Sequence, residues 1–486
     1  MKPAPGQSPA HDSSLDPDHW DALRTQGHRM LDDMLDYLQH LRDRPVWQPI
    51  PQSVRNRFQE PLPEESADLS ALHQRFMTEI LPYAVGNAHP GFMGWVHGGG
   101  TAVGMLAEML AAGLNANLGG RDQIPIAVER QITDWMRELF GFPDQASGLF
   151  VTGTSMANFI AVLVARTAAL GPSVREQGVA AATRPLAAYA SAGAHGCIAQ
   201  ALDISGLGTG CLRRIPVNDR FQMDLPQLER AIAADRAAGV QPFLVVGTAG
   251  TVDVGAVDDL VGLSALCRLE ELWFHVDGAF GALARLSPEL APRVEGIQLA
   301  DSIAFDFHKW GQVPYDAGFI LVRDETLHRQ TFASPAAYLQ RETRGVAAGS
   351  PWPCDYGPDL SRGFRALKTW FTLKAYGTDR LGAVIAQTCA LARYLETRIR
   401  SHDELELLAP VTLNIVCFRY RAPLPDEANA RIVVSLQESG VAVPSTTRIH
   451  GALAIRVAIV NHRTRHEDLD RLLAAVLAFG AQEATQ

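Results

Sequence analysis

Cysteine pairs, basic runs and long apolar stretches are all missing from this chain. Its six cysteines (Cys197, Cys211, Cys267, Cys354, Cys389, Cys417) are scattered, and no two form a Cys-x-x-Cys pair. Scattered thiols exclude a disulfide frame and a cysteine-held zinc, so no metal is expected, and they predict a reducing compartment, the cytoplasm. No Lys/Arg-rich patch stands out against a net charge of −10, which removes nucleic acid from the expected partners. The most apolar windows, near Phe159–Leu170 and Val103–Leu114, are short and carry Arg166 and Glu108. They predict core helices and no membrane span. The opening residues, MKPAPGQSPAHDSSLDPD, contain no apolar stretch, so no signal peptide is expected. Their polar, Pro/Ser-rich make-up predicts a disordered tail over 1–17.

What is present is a chain of 486 residues, 47% hydrophobic and 20% charged, long enough for two or three domains around a large core. From Trp20 to Leu41 apolar residues recur at helical spacing (Leu23, Met30, Leu31, Met34, Leu35, Leu38), which predicts an amphipathic helix. The Pro-broken VWQPIPQSV that follows reads as an extended arm. Residues 18–85 therefore form a helix-and-arm segment expected to pack on a partner subunit.

Between Leu149 and Arg323 seven apolar runs alternate with helical segments: GLFVTG, LAAYAS, CLRRIPV, FLVVGTAGT, LWFHVDGAF, SIAFDF and AGFILVRD. The helices between them include Asn158–Leu170, Leu225–Ala238 and Val257–Leu269. This alternation predicts a large α/β domain over 86–375 with a mostly parallel, seven-stranded sheet. Asp324 to Asp359, rich in Gly, Pro, Ser and charge, reads as a long mobile loop. After the helix GFRALKTWFTLKAYG, strands LNIVCFRY and AIRVAIV and helix DLDRLLAAVLAF predict a small α+β domain over 376–486.

Several strand ends carry residues that a plain core does not need. In FDFHKW, Lys309 ends an apolar strand, where its charge must be removed or used. An imine with an aldehyde cofactor does that, and a lysine snorkelling from a strand end is the bland alternative. In LWFHVDGAF, Asp277 follows an apolar strand, and a buried aspartate needs a cationic partner. The pyridinium nitrogen of pyridoxal 5′-phosphate (PLP) is such a partner, and its protonation makes the ring an electron sink. A helix or turn cap is the other reading of that aspartate. VTGTSMAN runs from a strand into a turn that opens a helix, where free N–H groups and the hydroxyls of Thr154 and Ser155 suit a phosphate. Ser/Thr caps also begin many ordinary helices. His195, just past the strand of ASAGAHGCIAQA, can stack on a planar cofactor or sit in the core. A phosphate turn, a His, an Asp and a Lys ending strands of one sheet together point to a PLP site at its carboxyl edge.

These stretches, with NAHPGFMGWVHGG, FLVVGTAGTVDVGAVDD and GFRALKTWFTLKAYG, resemble the group II PLP decarboxylases in family order, from about Asp18 to Phe479. That family holds the aromatic-L-amino-acid, glutamate and cysteine-sulfinate decarboxylases, and His-Val-Asp-x-Ala with His-Lys-Trp is quite specific for it. The resemblance implies fold type I architecture and a homodimer with active sites at the interface. It matches Lys309 to the imine lysine, Asp277 to the pyridine-nitrogen partner and His195 to the ring-stacking histidine. His308 corresponds to the histidine beside that lysine, facing cofactor and substrate. Gly153, Thr154 and Ser155 fall where the phosphate is cradled, and Thr251 near the cofactor. Tyr338 falls where the family keeps the tyrosine of its mobile catalytic loop, which implies a proton donor to Cα.

There are departures. Asp306 stands among the cofactor contacts where animal members commonly have Asn, and Phe307 where they have Pro. A carboxylate beside a phosphate dianion is repelled unless protonated or turned away. Trp95, Val96 and His97 lie where aromatic-specific members carry an aromatic-rich segment ending in Pro. Asn115 and Asn117 occupy the loop given by the other subunit, where those members are apolar. The implied reaction is decarboxylation of an L-amino acid, with an aromatic substrate (Trp, Tyr, Phe or DOPA-like) as the first expectation. A polar or acidic substrate (Glu, Asp, cysteine sulfinate) and an oxidative aldehyde synthase are the alternatives. Intact Tyr338 and His308 favour plain decarboxylation, and intact Lys309 and Asp277 count against a catalytically silent binding protein.

Overall fold

The computed structural model describes residues 14–334 and 341–483. They fall into two units, one holding Pro49–Ala84 with the residues up to Arg44, the other Pro45–Gln48 with everything from Val85. In the first, the predicted amphipathic helix forms over Trp20–Gln39 and buries none of its residues. A shorter helix, Leu69–Arg75, starts where the Asp68 carboxylate accepts hydrogen bonds from the N–H groups of Ser70 and Ala71.

The second unit carries two sheets among the described residues. Strand β1 (Phe92–Met93) is two residues long and belongs to the smaller one. The next seven are β2 (Ser147–Val151), β3 (Leu186–Ser191), β4 (Leu212–Ile215), β5 (Gln241–Thr248), β6 (Trp273–Asp277), β7 (Ser302–Asp306) and β8 (Gly318–Val322). They build the large sheet in the order β2-β8-β7-β6-β5-β3-β4, and β8 alone runs against its neighbours. The predicted mostly parallel, seven-stranded sheet is what forms, and each apolar run supplies one strand. Strands β3, β7 and β8 are buried at every position, which is why they read as unbroken apolar runs.

Register is what positions the site. Val151 pairs with Gly318, Gly318 with Asp306, Ala304 with Asp277, and Asp277 with Thr248. The carboxyl ends of β2, β5, β6 and β7 therefore lie along one edge, where sheets of this kind bind ligands. Behind that edge Phe150, Phe305, Phe307 and Phe319 pack with ring centroids 5.1–5.8 Å apart. Burial of each contributes about 1.5–3 kcal/mol. Phe307 thus fills core directly behind the site. The end of β2 is anchored by Arg362, whose buried guanidinium donates to the Phe150 carbonyl at 2.8 Å and to the Glu129 carboxylate at 2.6 Å.

The smaller sheet adds β9 (Leu405–Leu407), β10 (Ile415–Tyr420), β11 (Val443–Ile449) and β12 (Ala452–Ala458), in the order β1-β11-β12-β10-β9. Its β10 and β12 are the predicted strands LNIVCFRY and AIRVAIV. The segment read as loop from Asp324 onward instead begins with a helix, Glu325–Phe332. Asp324 caps it, its carboxylate accepting from the Leu327 N–H at 3.0 Å.

Candidate active site

A cavity of ≈ 400 Å³ opens at the carboxyl edge of the large sheet. Residues just past the ends of β2, β3, β5, β6 and β7 line it, among them Gly153, Thr154, Ser155, His195, Asp277, Asp306, His308 and Lys309. The sequence reading named all of these, and the register brings them to one place.

Lys309 lies three residues past β7, and its Nζ sits 2.8 Å from Asp306 Oδ2. The lysine side chain keeps 21% exposure, and the carboxylate 2%. Burial pulls the lysine pKa down, but the Asp306 and Asp277 carboxylates outweigh it and hold the amine protonated above its ordinary value. The other oxygen of Asp306 accepts from the Thr154 N–H at 2.7 Å, at the start of helix Thr154–Leu170. Asp306 reaches that turn because Gly318 alone lies between β7 and β2 at this level; a Cβ on Gly318 would collide with the Gly153 backbone. One carboxylate thus touches both the lysine and the phosphate-type turn.

Asp277 ends β6 and is 3% exposed. Its Oδ2 accepts from Asn158 Nδ2 at 3.0 Å, and its Oδ1 from the Ala279 N–H at 3.1 Å. Burial pushes its pKa up, opposed by Lys309, the Ala279 and Asn158 hydrogen bonds, and His195. His195 lies on the exposed rim, its Nδ1 accepting from the Cys197 N–H at 3.1 Å. His308 is buried and its Nδ1 accepts from the Ala317 N–H at 3.0 Å, so the proton is on Nε2, which lies 3.6 Å from Asp306. Burial drives its pKa down to about 4, against the pull of Asp306, so the ring is neutral at pH 7.

Trp95, Val96 and His97 form another wall of the cavity. The rings of Phe92, Trp95 and His97 stack with centroids 5.5–6.1 Å apart, and burial together with Lys309 lowers the His97 pKa. Thr251 does not line the cavity: its hydroxyl accepts from the Ala256 N–H at 3.0 Å and holds a turn, while Thr248, Gly250 and Val252 face the site. Asn115 and Asn117 are also elsewhere. Asn115 ends helix Ala102–Leu114, and Asn117 accepts from the N–H groups of Gly119 and Arg362. Tyr338 lies outside the described residues.

Sequence reasoning missed Tyr315, whose ring packs 4.2 Å from His308 and lines the cavity. It follows Lys309 by six residues, past a turn whose course no periodicity reveals. It missed Asn158 too, although an asparagine inside the apolar helix segment MANFIAVLVA was a signal.

The residues present fit PLP on the structure's own terms. Thr154 Oγ1 is buried at the helix start with no hydrogen-bond partner among the described residues, which suits a phosphate oxygen. An amine for an aldehyde and a buried anion for a ring nitrogen complete the donor set.

Comparison with known proteins agrees with that chemistry. Residues 51–421 match the family described as pyridoxal-dependent decarboxylase conserved domain. The chain is 31% identical over 473 residues to an aromatic-L-amino-acid decarboxylase of Bacillus atrophaeus, covering 95% of this chain and 96% of that one. It is 30% identical over 423 residues to an L-2,4-diaminobutyrate decarboxylase of Rhizobium meliloti (strain 1021), covering 86% and 83%. A crystal structure of Oryza sativa TDC with PLP and tryptamine superposes with a TM-score of 0.88 at 23% identity, over 97% of this chain and 100% of that one. The architecture is fold type I, that of PLP enzymes. The chain belongs to the pyridoxal-dependent decarboxylase family and is a PLP-dependent amino acid decarboxylase.

Proposed function

We propose that this decarboxylase acts on an aromatic L-amino acid. The observation that carries the reading is the cavity wall: Trp95, Phe280 and Tyr315 line it with His97, and among the described residues no arginine does. The cation lining it, Lys309, is paired with Asp306 and reserved for the cofactor, and His308 is neutral. An acidic side chain would therefore enter without a counter-ion and remain partly desolvated, which is unfavourable. Flat rings are suited to edge and face contacts with Trp95, His97 and Tyr315. The test is amine release from Trp, Tyr, Phe, DOPA, His, Glu, 2,4-diaminobutyrate and cysteine sulfinate. We expect the highest kcat/KM among the first four, and a higher value for Glu or cysteine sulfinate would overturn the reading.

When bound, PLP supplies a protonated ring that accepts the electron pair left as the Cα–carboxylate bond breaks. The residues around it have separable tasks. Lys309 provides the amine for covalent attachment, and Asp277 keeps a proton on the ring nitrogen. The turn Gly153–Ser155 would offer the phosphate its hydroxyls, the partnerless Thr154 Oγ1 first, while the Thr154 N–H is held by Asp306. His195, on the rim, would stack on the ring, and neutral His308, its Nε2 3.6 Å from Asp306 Oδ2, would donate a hydrogen bond toward substrate.

Tyr338 is proposed to deliver the proton to Cα, as the family's loop tyrosine would. Tyr338→Phe should then keep its substrate affinity while amine yield falls about 10²-fold or more, the scale of a lost general acid. With no acid at hand, oxygen competes for the electron pair, so aldehyde, ammonia and peroxide should rise under air. An unchanged amine yield without aldehyde would remove Tyr338 from the mechanism.

The working enzyme is proposed to be a cytoplasmic homodimer. Asn115 and Asn117 lie away from the cavity of their own chain, as residues given to a second copy would. The described cysteines are all free, as in a reducing compartment, and among the described residues no helix is long and apolar enough to cross a membrane. A sedimentation mass of twice the 52.7 kDa chain checks the dimer.

A further inference from the structure

Behind Asp277 runs a buried line of hydrogen bonds that the reaction as described does not use. Trp273 Nε1 donates to Ser302 Oγ at 2.9 Å. Ser302 Oγ lies 2.8 Å from His275 Nδ1, His275 Nε2 lies 2.8 Å from Asn158 Oδ1, and Asn158 Nδ2 donates to Asp277 Oδ2 at 3.0 Å. Ser302, His275 and Asn158 are each 0% exposed.

With Asp277 ionised, one tautomer of His275 gives every bond in this line a direction. The Asp277 carboxylate only accepts when ionised, so the amide N–H₂ of Asn158 must face it, and Asn158 Oδ1 must face His275. That oxygen only accepts, so His275 carries its proton on Nε2. Its bare Nδ1 then accepts from the Ser302 hydroxyl at 2.8 Å, the shorter of its two contacts, the Ser302 carbonyl oxygen lying at 3.2 Å, and the hydroxyl oxygen in turn accepts from the indole N–H. Burial drives the His275 pKa down to about 3, so the ring is neutral and carries a single proton through the working range. All the donors point the same way, and bonds aligned in series polarise one another.

We infer that Asn158 and His275 are positioning residues: through Trp273, Ser302 and their own hydrogen bonds they hold the Asp277 carboxylate ionised and oriented toward the ring nitrogen of the cofactor. A purely architectural role explains less. Two polar side chains inside a parallel sheet and an apolar helix would be replaceable by apolar ones of similar volume, with no line of hydrogen bonds ending on a buried carboxylate of the cavity. Asn158 also donates to Cys197 Sγ at 3.2 Å, so the thiol shares the amide but does not replace it on Asp277.

The inference rests on the proposal that Asp277 partners the ring nitrogen, and the test separates the two. Dissociation constants are measured for PLP and for its 1-deaza analogue, in which CH replaces the ring nitrogen. The wild-type chain should prefer PLP. Asp277→Ala should lose that preference, and its keeping it would overturn the reading of Asp277 itself. Asn158→Leu and His275→Leu should each lower the preference by about tenfold, the scale of one hydrogen bond to a charged acceptor. The double variant should fall no further than Asn158→Leu, because both act through one carboxylate. His275→Gln, which can still donate to Asn158, should recover most of the preference. A general loss of packing would weaken both cofactors alike and leave the ratio unmoved, and that result overturns the inference. Should Asn158→Leu fail to fold, Asn158→Ser carries the same comparison.

Discussion

Lys309→Ala should abolish covalent attachment of the cofactor and lower decarboxylation by about 10³-fold or more, on the scale of removing a nucleophile or its acid–base function. Among the described residues no other lysine lines the cavity, so none of them can take over the linkage. The amine rests as a cation against Asp306, raised above the ordinary lysine pKa, and must release a proton before it can attack an aldehyde carbon. Asp306 Oδ2, at 2.8 Å, is placed to take that proton. Borohydride reduction of the wild-type enzyme followed by peptide mapping reads the attachment point. A pyridoxyl group on any lysine other than Lys309 would refute the assignment. The alanine variant should still take up PLP without covalent linkage, since Asp277 and the Thr154 turn remain, and dialysis should then remove what the wild-type enzyme keeps.

Much of this site was legible in the sequence because it sits at strand ends. Seven apolar runs marked seven strands, and residues such as Lys309, Asp277 and Thr154 stood out where an apolar run stopped. What the sequence could not carry were contacts made sideways across the sheet. Asp306 touches Lys309, three residues on, but it also reaches the Thr154 N–H, 152 residues back, and only the strand order β2-β8-β7 with a glycine between makes that contact. Asn158 and His275 meet across 117 residues for the same reason. Thr251, placed near the cofactor by the resemblance, has its hydroxyl engaged in a local turn that no sequence pattern announces. Strand β11, VPSTTRI, escaped because its alternation is polar and contains Pro444, and helix Glu325–Phe332 because its charged composition masked an ordinary Asp cap.

Asp277→Ala carries the second large effect. Its carboxylate is buried, and burial alone would favour the neutral acid; Lys309, Ala279, Asn158 and His195 oppose that. An ionised Asp277 is what keeps a proton on a ring nitrogen whose own affinity for it is modest, and without the anion the ring loses its ability to accept charge. Removing such an electrostatic partner from a water-poor site costs about 10²–10³-fold in kcat. PLP affinity should fall about tenfold or more as well, since a charge-assisted contact is lost. KM for the amino acid should move little, because the proposed partner of Asp277 is the cofactor's ring nitrogen and not the substrate. Asp277→Asn is the sharper variant. It keeps the volume and offers an amide that can still engage Asn158, yet it cannot hold a proton on the ring by charge. If the carboxylate acts through its charge, Asn should be nearly as impaired as Ala in kcat while retaining more of the thermal stability. Near-normal turnover by a fully PLP-loaded Asp277→Asn enzyme would show that the fold needs a polar group there and the chemistry does not need an anion.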